Sequence, residues 1–265
     1  LFFVVGLFGS CTATPTSTAA PVDHSAWDKL LKKHVNDKGF VNYSAFKKDY
    51  DELKKYLDML SASAPNNKWT DEEQLAYWIN AYNAFTVQLI LDHYPGISTI
   101  KDIGSKIKIP FVSDAWTVNF IVIGGKKMNL NDIEHGIIRK GYREPRIHFY
   151  INCAATSCPP LWQGAIPQGK TWDVLNQSAK RFINDPRNVK FDPATKKLQL
   201  SKIFDWFKED FLAYLKEQKG IAQPHIAQYL LMYLDEPTRS ALEKTPAGEI
   251  SVSYFSYNKN LNEQK

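Results

Sequence analysis

The sequence has little cysteine, no long apolar run and no strong excess of either charge. Three cysteines among 265 residues are too few to staple a fold, and a chain of this length buries an adequate core without them. Lys and Arg number 33 against 28 Asp and Glu, and the resulting net charge of +5 is milder than that of dedicated nucleic-acid binders. No apolar run reaches the roughly 20 residues that a transmembrane helix needs. The sequence therefore excludes a nucleic-acid-binding protein and a multispanning membrane protein.

The chain also lacks the glycine-rich signatures of nucleotide-binding and serine-hydrolase sites. It contains no Gly-x-Gly-x-x-Gly, no Walker phosphate loop and no Gly-x-Ser-x-Gly, the motifs that cradle a phosphate or expose a serine nucleophile. With 44% apolar and 23% charged residues, the composition is that of a folded globular protein. We therefore expect a globular protein for which no cofactor is indicated.

The first residues resemble a bacterial lipoprotein signal. Residues 1–10 are apolar and end in two small residues, and Cys11 follows them. In such a signal Cys11 is lipidated and becomes the mature N-terminus, whereas the alternative is an ordinary export signal with an incidental cysteine. Residues 11–24, rich in Thr, Ala, Pro and Ser, predict a flexible tether. We therefore expect an exported protein of the bacterial cell envelope, lipid-anchored to a membrane, with a single globular domain over residues 25–265.

Hydrophobic periodicity predicts an α+β fold with helices packed around a small, mostly antiparallel sheet. A capping box at Thr70 and Glu73 begins a long helix that reaches about His93. Residues 116–123 alternate as in a strand, and Gly124-Gly125 then predicts a hairpin turn. Further helices are predicted within residues 25–60 and at 131–140, 171–184, 204–216 and 224–234, and further strands at 126–128, 146–152 and 197–200.

The long apolar helix carries polar residues that need partners. Asn80 and Asn83 lie where the helix is apolar almost all round, and Glu73 lies two turns from Asn80 on the same face. Asparagine is a poor residue for a helix interior, and a buried polar group must be hydrogen-bonded. Either these asparagines bond the backbone of neighbouring loops, or they help to orient a catalytic side chain.

His135 lies in a short predicted helix. Ile133 and Ile137 form the apolar stripe of that helix. His135 shares the opposite, polar face with Asn131 and Arg139. A histidine on a polar helical face is most often just solvated. It is also the side chain best suited to proton transfer near neutral pH, and His135 is therefore a candidate general base.

Cys153 follows the apolar strand predicted over residues 146–152. A loop of small residues then leads to Cys158 and two prolines. Loops at strand ends leave backbone amides free to hold an oxyanion, and a cysteine needs only a neighbouring base or positive charge to become a thiolate. Cys153 is therefore a candidate nucleophile. The alternatives are an ordinary buried cysteine and a disulfide with Cys158, which a turning loop brings within range.

A metal or redox site fits the pattern less well. His135, His148, Cys153 and Cys158 carry donor atoms, but the Cys-x4-Cys spacing is looser than the close pairs of zinc sites and no second pair exists. A redox dithiol ordinarily has the spacing Cys-x-x-Cys. We therefore expect no metal.

Five blocks of the sequence carry a resemblance to a known family, and they are residues 77–84, 133–139, 147–160, 182–186 and 204–211. In this order they resemble the family of domains of unknown function numbered 547. The resemblance runs from about residue 40 to the C-terminus. The final block departs from the family pattern, because Tyr257-Asn258-Lys259-Asn260-Leu261-Asn262 stands where the family tends to have Tyr-Asp-Trp-Ser-Leu-Asn. A role of that aspartate or tryptophan therefore does not transfer.

The resemblance implies a papain-like or transglutaminase-like architecture, permuted because His135 precedes Cys153 in the chain. It favours Cys153 as the nucleophile, since the position of Cys158 is often serine in plant-type members of the family. It also places the family histidine at His135. Glu73, Asn80 and Asn83 fall in the first block, where an orienting group would lie.

Two functional hypotheses follow. The first is a cysteine-dependent acyl-transfer enzyme, a peptidase, amidase or transglutaminase-like cross-linker, that acts on a peptide or a cell-envelope polymer. In it Cys153 attacks a carbonyl, His135 takes and returns the proton, and Asn80, Asn83 or Glu73 orients the imidazole. The second is a non-enzymatic surface lipoprotein that binds a glycan or a protein partner through an aromatic groove, with Cys153 and Cys158 in a structural disulfide.

Overall fold

The computed structural model describes residues 20–106 and 114–264. The predicted signal segment, the lipidation site Cys11 and most of the predicted tether lie outside these residues. Val22 and His24 are buried, so the packed chain begins slightly before the predicted domain boundary at residue 25. Among the described residues no helix is long and apolar enough to cross a bilayer.

The first part of the chain is helical, and its centre is one long helix. Thr70 caps that helix: its hydroxyl accepts a hydrogen bond from the Glu73 amide at 3.2 Å, and the Glu73 carboxylate accepts one from the Thr70 amide at 2.7 Å. This confirms the predicted capping box. The helices of this part are α1 (Ser25–His34), α2 (Tyr43–Lys48), α3 (Tyr50–Ala62), α4 (Asp71–His93) and α5 (Lys101–Lys106).

A short hairpin and a π-helix follow. Strand β1 (Ile121–Ile123) pairs antiparallel with β2 (Lys126–Met128), and Gly124 and Gly125 make the turn at positive φ angles of 57° and 77°, where glycine is the least strained residue. The strand predicted from residue 116 is too long. Its first residues form a 3-10 turn, Ala115–Thr117, because the Asp114 side chain accepts a hydrogen bond from the Trp116 amide.

The helix predicted over residues 131–140 is present as a π-helix, Asp132–Arg139, continued by α6 (Lys140–Tyr142). A π-helix is wider than an α-helix and frequently occurs at functional sites. It buries Ile133, Glu134 and Ile138 and leaves His135 at the surface. This element therefore turns a buried carboxyl and a partly exposed imidazole toward neighbouring parts of the chain.

The strand predicted over residues 146–152 is wrong. The chain instead forms a 3-10 helix, Pro145–Phe149. Pro145 supplies no backbone donor and has a fixed φ, which suits the first position of a helical turn. Glu144 then caps the turn by accepting hydrogen bonds from the Arg146 amide and guanidinium. The apolar pattern gave the burial of this segment correctly but not its conformation.

The rest of the chain confirms the α+β prediction. Strand β4 pairs antiparallel with β3 and parallel with β5, so the two small sheets are mostly antiparallel. The elements of this part are α7 (Thr171–Ile183), β3 (Val189–Asp192), β4 (Lys197–Leu200), α8 (Ile203–Trp206), α9 (Lys208–Lys219), α10 (Ile226–Leu231), α11 (Thr238–Glu243) and β5 (Ser251–Tyr254).

The buried apolar side chains form two clusters. The first surrounds α4, and the second includes side chains of α7, α9 and α10. The 3-10 helix joins them, because Ile147 and Tyr150 belong to the first cluster and Phe149 to the second. The segment that ends at Cys153 therefore runs along the boundary between the two clusters.

Acid should destabilise the fold in part through His24. This side chain is buried, its Nδ1 lies 2.7 Å from the Tyr56 hydroxyl, and burial lowers the pKa of His24 to about 4. Between pH 6.5 and 4 the unfolded chain binds a proton that the folded chain does not, so the free energy of unfolding should fall as the pH falls through that window. The contribution is at most ~3 kcal/mol.

Urea denaturation at pH 7.5, 6 and 5 measures this dependence. The His24→Gln variant, whose amide still has a hydrogen-bonding group for Tyr56, should lose less stability over the same range. An identical pH dependence in both proteins would contradict the assignment.

Candidate functional site

A cavity of about 320 Å³ lies between the two clusters. Its walls include Tyr82 of α4, Trp116 of the 3-10 turn and Phe207 between α8 and α9. Of the residues that sequence reasoning singled out, both His135 and Cys153 line it. We call this space the junction cavity and define it by the six residues Tyr82, Trp116, His135, His148, Cys153 and Phe207.

The nucleophile candidate Cys153 is bonded to another cysteine in this structure. Its sulfur forms a disulfide with Cys158, with the two Cα atoms 6.2 Å apart. The loop between them turns through Ala154, which has a positive φ of 59°. The alternative of a disulfide, which the sequence left open, is thus the state described here. Cys153 has no free thiol while this bond is intact.

Tyr257 contacts both sulfur atoms. Its hydroxyl lies 3.3 Å from the sulfur of Cys153 and 3.3 Å from that of Cys158. Burial raises the pKa of Tyr257, so its hydroxyl stays protonated and can donate a hydrogen bond at neutral pH. In the sequence, Tyr257 was noticed only as part of a divergent C-terminal block. It lies 104 residues from Cys153, and no local sequence pattern predicts a contact over that distance.

His135 is held by its neighbour one turn along the π-helix. Its side chain is 43% exposed, and its Nδ1 lies 3.0 Å from Nη1 of Arg139. The Glu134 carboxylate lies 3.9 Å from the same nitrogen. The predicted polar face of this helix therefore exists, and Arg139 on it is the direct partner of His135.

A second histidine, His148, lies in the same cavity and is fully buried. Its Nε2 lies 2.7 Å from the Asp210 carboxylate, and its ring stacks on Phe207 with the centroids 3.8 Å apart. Among the described residues, Nδ1 of His148 has no hydrogen-bond partner. Sequence reasoning considered His148 only as a metal donor. A buried histidine in an apolar run was the signal for it, but its partner lies 62 residues away.

Asp210 of α9 connects the two histidines. Its carboxylate accepts hydrogen bonds from Nε and Nη2 of Arg139, at 2.7 and 2.8 Å, as well as the contact with His148. Burial by itself raises the pKa of Asp210, but the hydrogen bonds from His148 and Arg139 outweigh it and hold the pKa well below its usual range. The side chains His135, Arg139, Asp210 and His148 thus form one continuous chain of hydrogen bonds.

The three predicted orienting residues have other partners. Asn80 exchanges two 3.0 Å hydrogen bonds with the backbone of Ile166. Asn83 donates to the Tyr150 carbonyl at 3.3 Å and accepts from the Asn152 amide at 2.9 Å. The asparagines therefore bond the backbone of neighbouring loops, the first of the two alternatives. Glu73 caps the start of α4, and none of the three is among the described residues that line the junction cavity.

A second cavity, of about 310 Å³, meets the disulfide from another side. We call it the basic cavity and define it by its cationic residues Lys38, Arg181, Arg187 and Lys202. Cys158 lines both cavities. Within the described part of the chain, no three His, Cys, Asp or Glu side chains are grouped so that they could hold a metal ion.

Removing the Asn83 side chain should destabilise the protein. Asn83→Ala leaves the Tyr150 carbonyl and the Asn152 amide without their partners in a buried place, which costs about 2–4 kcal/mol. Chemical denaturation measures the change. The matched control is Asn176→Ala, because Asn176 is exposed in the middle of α7 and its replacement should change stability by less than about 0.5 kcal/mol. A similar small effect at both positions would contradict the structural role of Asn83.

Comparison with known proteins gives one match. No curated protein and no solved structure matches the chain, so the papain-like architecture stays a prediction. Part of the chain matches a family model, and this part includes His135, His148 and Cys153 but ends before Asp210 and Tyr257. Over residues 66–183 the chain is similar to the family described as "Protein of unknown function, DUF547".

Proposed function

We propose that the protein is a cysteine-dependent acyl-transfer enzyme whose nucleophile, Cys153, is released when the disulfide with Cys158 is reduced. The observation that carries the proposal is that Cys153 and two imidazoles, those of His135 and His148, line one cavity. A cysteine thiol becomes a strong nucleophile near neutral pH when a base or a positive charge lies beside it.

The proposed chemistry has two stages, reduction of the disulfide and then acyl transfer. A dithiol reductant gives two electrons and two protons to the disulfide, which becomes two thiols, while the reductant itself becomes a disulfide. The Cys153 thiol then passes its proton to an imidazole of the junction cavity as its sulfur bonds to the substrate carbonyl carbon. The carbon–nitrogen or carbon–oxygen bond of the substrate breaks, and the leaving group takes that proton. Water or an amine then bonds to the thioester carbonyl carbon, the carbon–sulfur bond breaks, and the proton that the water or amine loses passes through the imidazole to the Cys153 sulfur, which becomes a thiol again.

The substrate is proposed to be a peptide or another polymer of the cell envelope. The support is the N-terminal sequence, which predicts export and a membrane tether through a lipid on Cys11. A disulfide fits such a location, because disulfides persist in oxidising compartments outside the cytoplasm. In that setting the enzyme rests in the bridged form until a reductant reaches it.

The disulfide itself favours a second candidate, a non-enzymatic surface protein that binds a glycan or a protein partner. In the bridged state Cys153 cannot act as a nucleophile. The basic cavity beside the disulfide offers a recess with cationic side chains. Trp206, 52% exposed, packs against Tyr257 at its edge with the ring centroids 4.6 Å apart, and exposed aromatic rings are typical of binding surfaces.

Alkylation by iodoacetamide separates the two candidates. In the folded, unreduced chain Cys153 should not react, and after dithiothreitol it should react with a pH midpoint well below the ~8.5 of a free thiol. Peptide mass spectrometry distinguishes Cys153 from the other cysteines, and N-acetylcysteine is the reference thiol. The Cys158→Ser variant should react at Cys153 without any reductant.

The contrary result is equally clear. If reduced Cys153 titrates like N-acetylcysteine, no base acts on it, and the binding function is the better description of the protein.

A further inference from the structure

The hydrogen bonds of His148 determine which of its nitrogens carries a proton. Asp210 is ionised, since two hydrogen bonds from the Arg139 guanidinium hold its carboxylate, and an ionised carboxylate only accepts hydrogen bonds. Nε2 of His148, 2.7 Å from that carboxylate, must therefore be the donor. In the neutral ring the lone pair is then on Nδ1.

The hydrogen-bond partner of His135 also determines which of its nitrogens carries the proton. Arg139 can only donate hydrogen bonds, and its Nη1 lies 3.0 Å from Nδ1 of His135. Nδ1 of His135 is therefore the acceptor, and the proton of its neutral ring is on Nε2. The basic nitrogen of His135 thus already accepts a hydrogen bond from an arginine.

Of the two imidazoles, only that of His148 has a basic nitrogen without a hydrogen-bond partner among the described residues. Nδ1 of His148 is buried and has no hydrogen-bond partner among the described residues, while the residue lines the junction cavity together with Cys153. A buried nitrogen without a partner is costly and calls for an explanation. His148 and Cys153 also belong to the same short segment, which the 3-10 helix Pro145–Phe149 begins.

We infer that His148, and not His135, is the general base for Cys153, and that Asp210 and Arg139 are its positioning residues. The inference rests on the proposed function and names the group that receives the thiol proton. Nδ1 of His148 takes the proton from the sulfur of Cys153 and returns it to the leaving group. Asp210 keeps Nε2 protonated and stabilises the imidazolium that forms, as carboxylates do in other nucleophile–histidine–carboxylate sites.

The charges around His148 act in both directions. Burial lowers the pKa of His148, and the hydrogen bond with Asp210 and the charge of Glu134 oppose this effect. The positive charge of Arg139 adds to the lowering. Because the group stays neutral in the resting protein, it is available as a base. The other titratable groups that line the cavity are Tyr82 of α4, Asp114 beside the 3-10 turn and His135 of the π-helix. Tyr257 of the C-terminal segment contacts the Cys153 sulfur.

The test is the pH profile of Cys153 alkylation in the full chain carrying Cys158→Ser. In this background the midpoint should lie below that of N-acetylcysteine. Adding His148→Gln should slow alkylation at pH 6 by ~10- to 100-fold, because the thiolate loses its imidazolium partner. The glutamine amide can still donate to Asp210. Asp210→Asn should move the midpoint toward alkaline pH, a change that a loss of packing alone would not produce.

The outcomes distinguish a failure of the proposed function from a failure of the assignment of His148 as the base. If the Cys158→Ser background itself titrates like N-acetylcysteine, the proposed function fails. If the background is reactive at pH 6 and His148→Gln stays so, or if His135→Gln causes the larger loss, the proposed function stands and the choice of His148 is overturned. The control His93→Gln, at the end of α4 and away from the cavity, should leave the profile unchanged.

A second measurement does not depend on any variant folding. Long-range 15N NMR of the imidazoles in the unreduced wild-type chain at pH 7.5 reports which nitrogen is protonated. His148 should be protonated at Nε2 with a free Nδ1. The opposite tautomer at His148 would overturn the inference even if every variant were unstable.

Discussion

The carboxylate of Asp210 joins three parts of the chain at the boundary between the two apolar clusters. It belongs to α9 and binds Arg139 of the π-helix and His148 of the 3-10 helix. Partial burial of a carboxylate is costly unless charged donors satisfy its oxygens, and here both oxygens accept hydrogen bonds from Arg139. The positions of the two imidazoles are therefore linked, because His148 bonds Asp210 directly and His135 bonds it through Arg139.

The disulfide gives the site two chemical states. In the bridged state the sulfur of Cys153 is unreactive and lies against the Tyr257 hydroxyl. In the reduced state that we propose to be active, the same sulfur would share a cavity with His148, whose Nδ1 has no hydrogen-bond partner within the described part of the chain. The hydrogen bonds that hold this base involve neither cysteine. The hydrogen-bonded position of His148 and the redox state of the proposed nucleophile are therefore separate properties of this site.

Burial was easier to predict than conformation. The capping box at Thr70 and the hairpin at Gly124-Gly125 could be predicted from the sequence, because both are formed by residues within four positions of one another. The segment after Pro145 was read as a strand, because an apolar run is compatible with a strand and with a helical turn. The hydrogen bonds that Glu144 accepts from Arg146 stabilise the turn, and they have no counterpart in hydrophobic periodicity.

Local sequence patterns were enough to predict the α+β class, the burial of the asparagines of α4, and Cys153 and His135 as members of one candidate site. Local patterns carry that information, since they record which side chains are buried and which are chemically capable. The contacts of these side chains, by contrast, are known only from the folded structure. Of the alternatives that the sequence left open for Cys153, the structure has the disulfide with Cys158. Asn83 bonds the backbone of Asn152, 69 residues away, and His148 bonds Asp210, 62 residues away. Such partners are set by how the two clusters pack, and no short-range pattern in a single sequence encodes that packing.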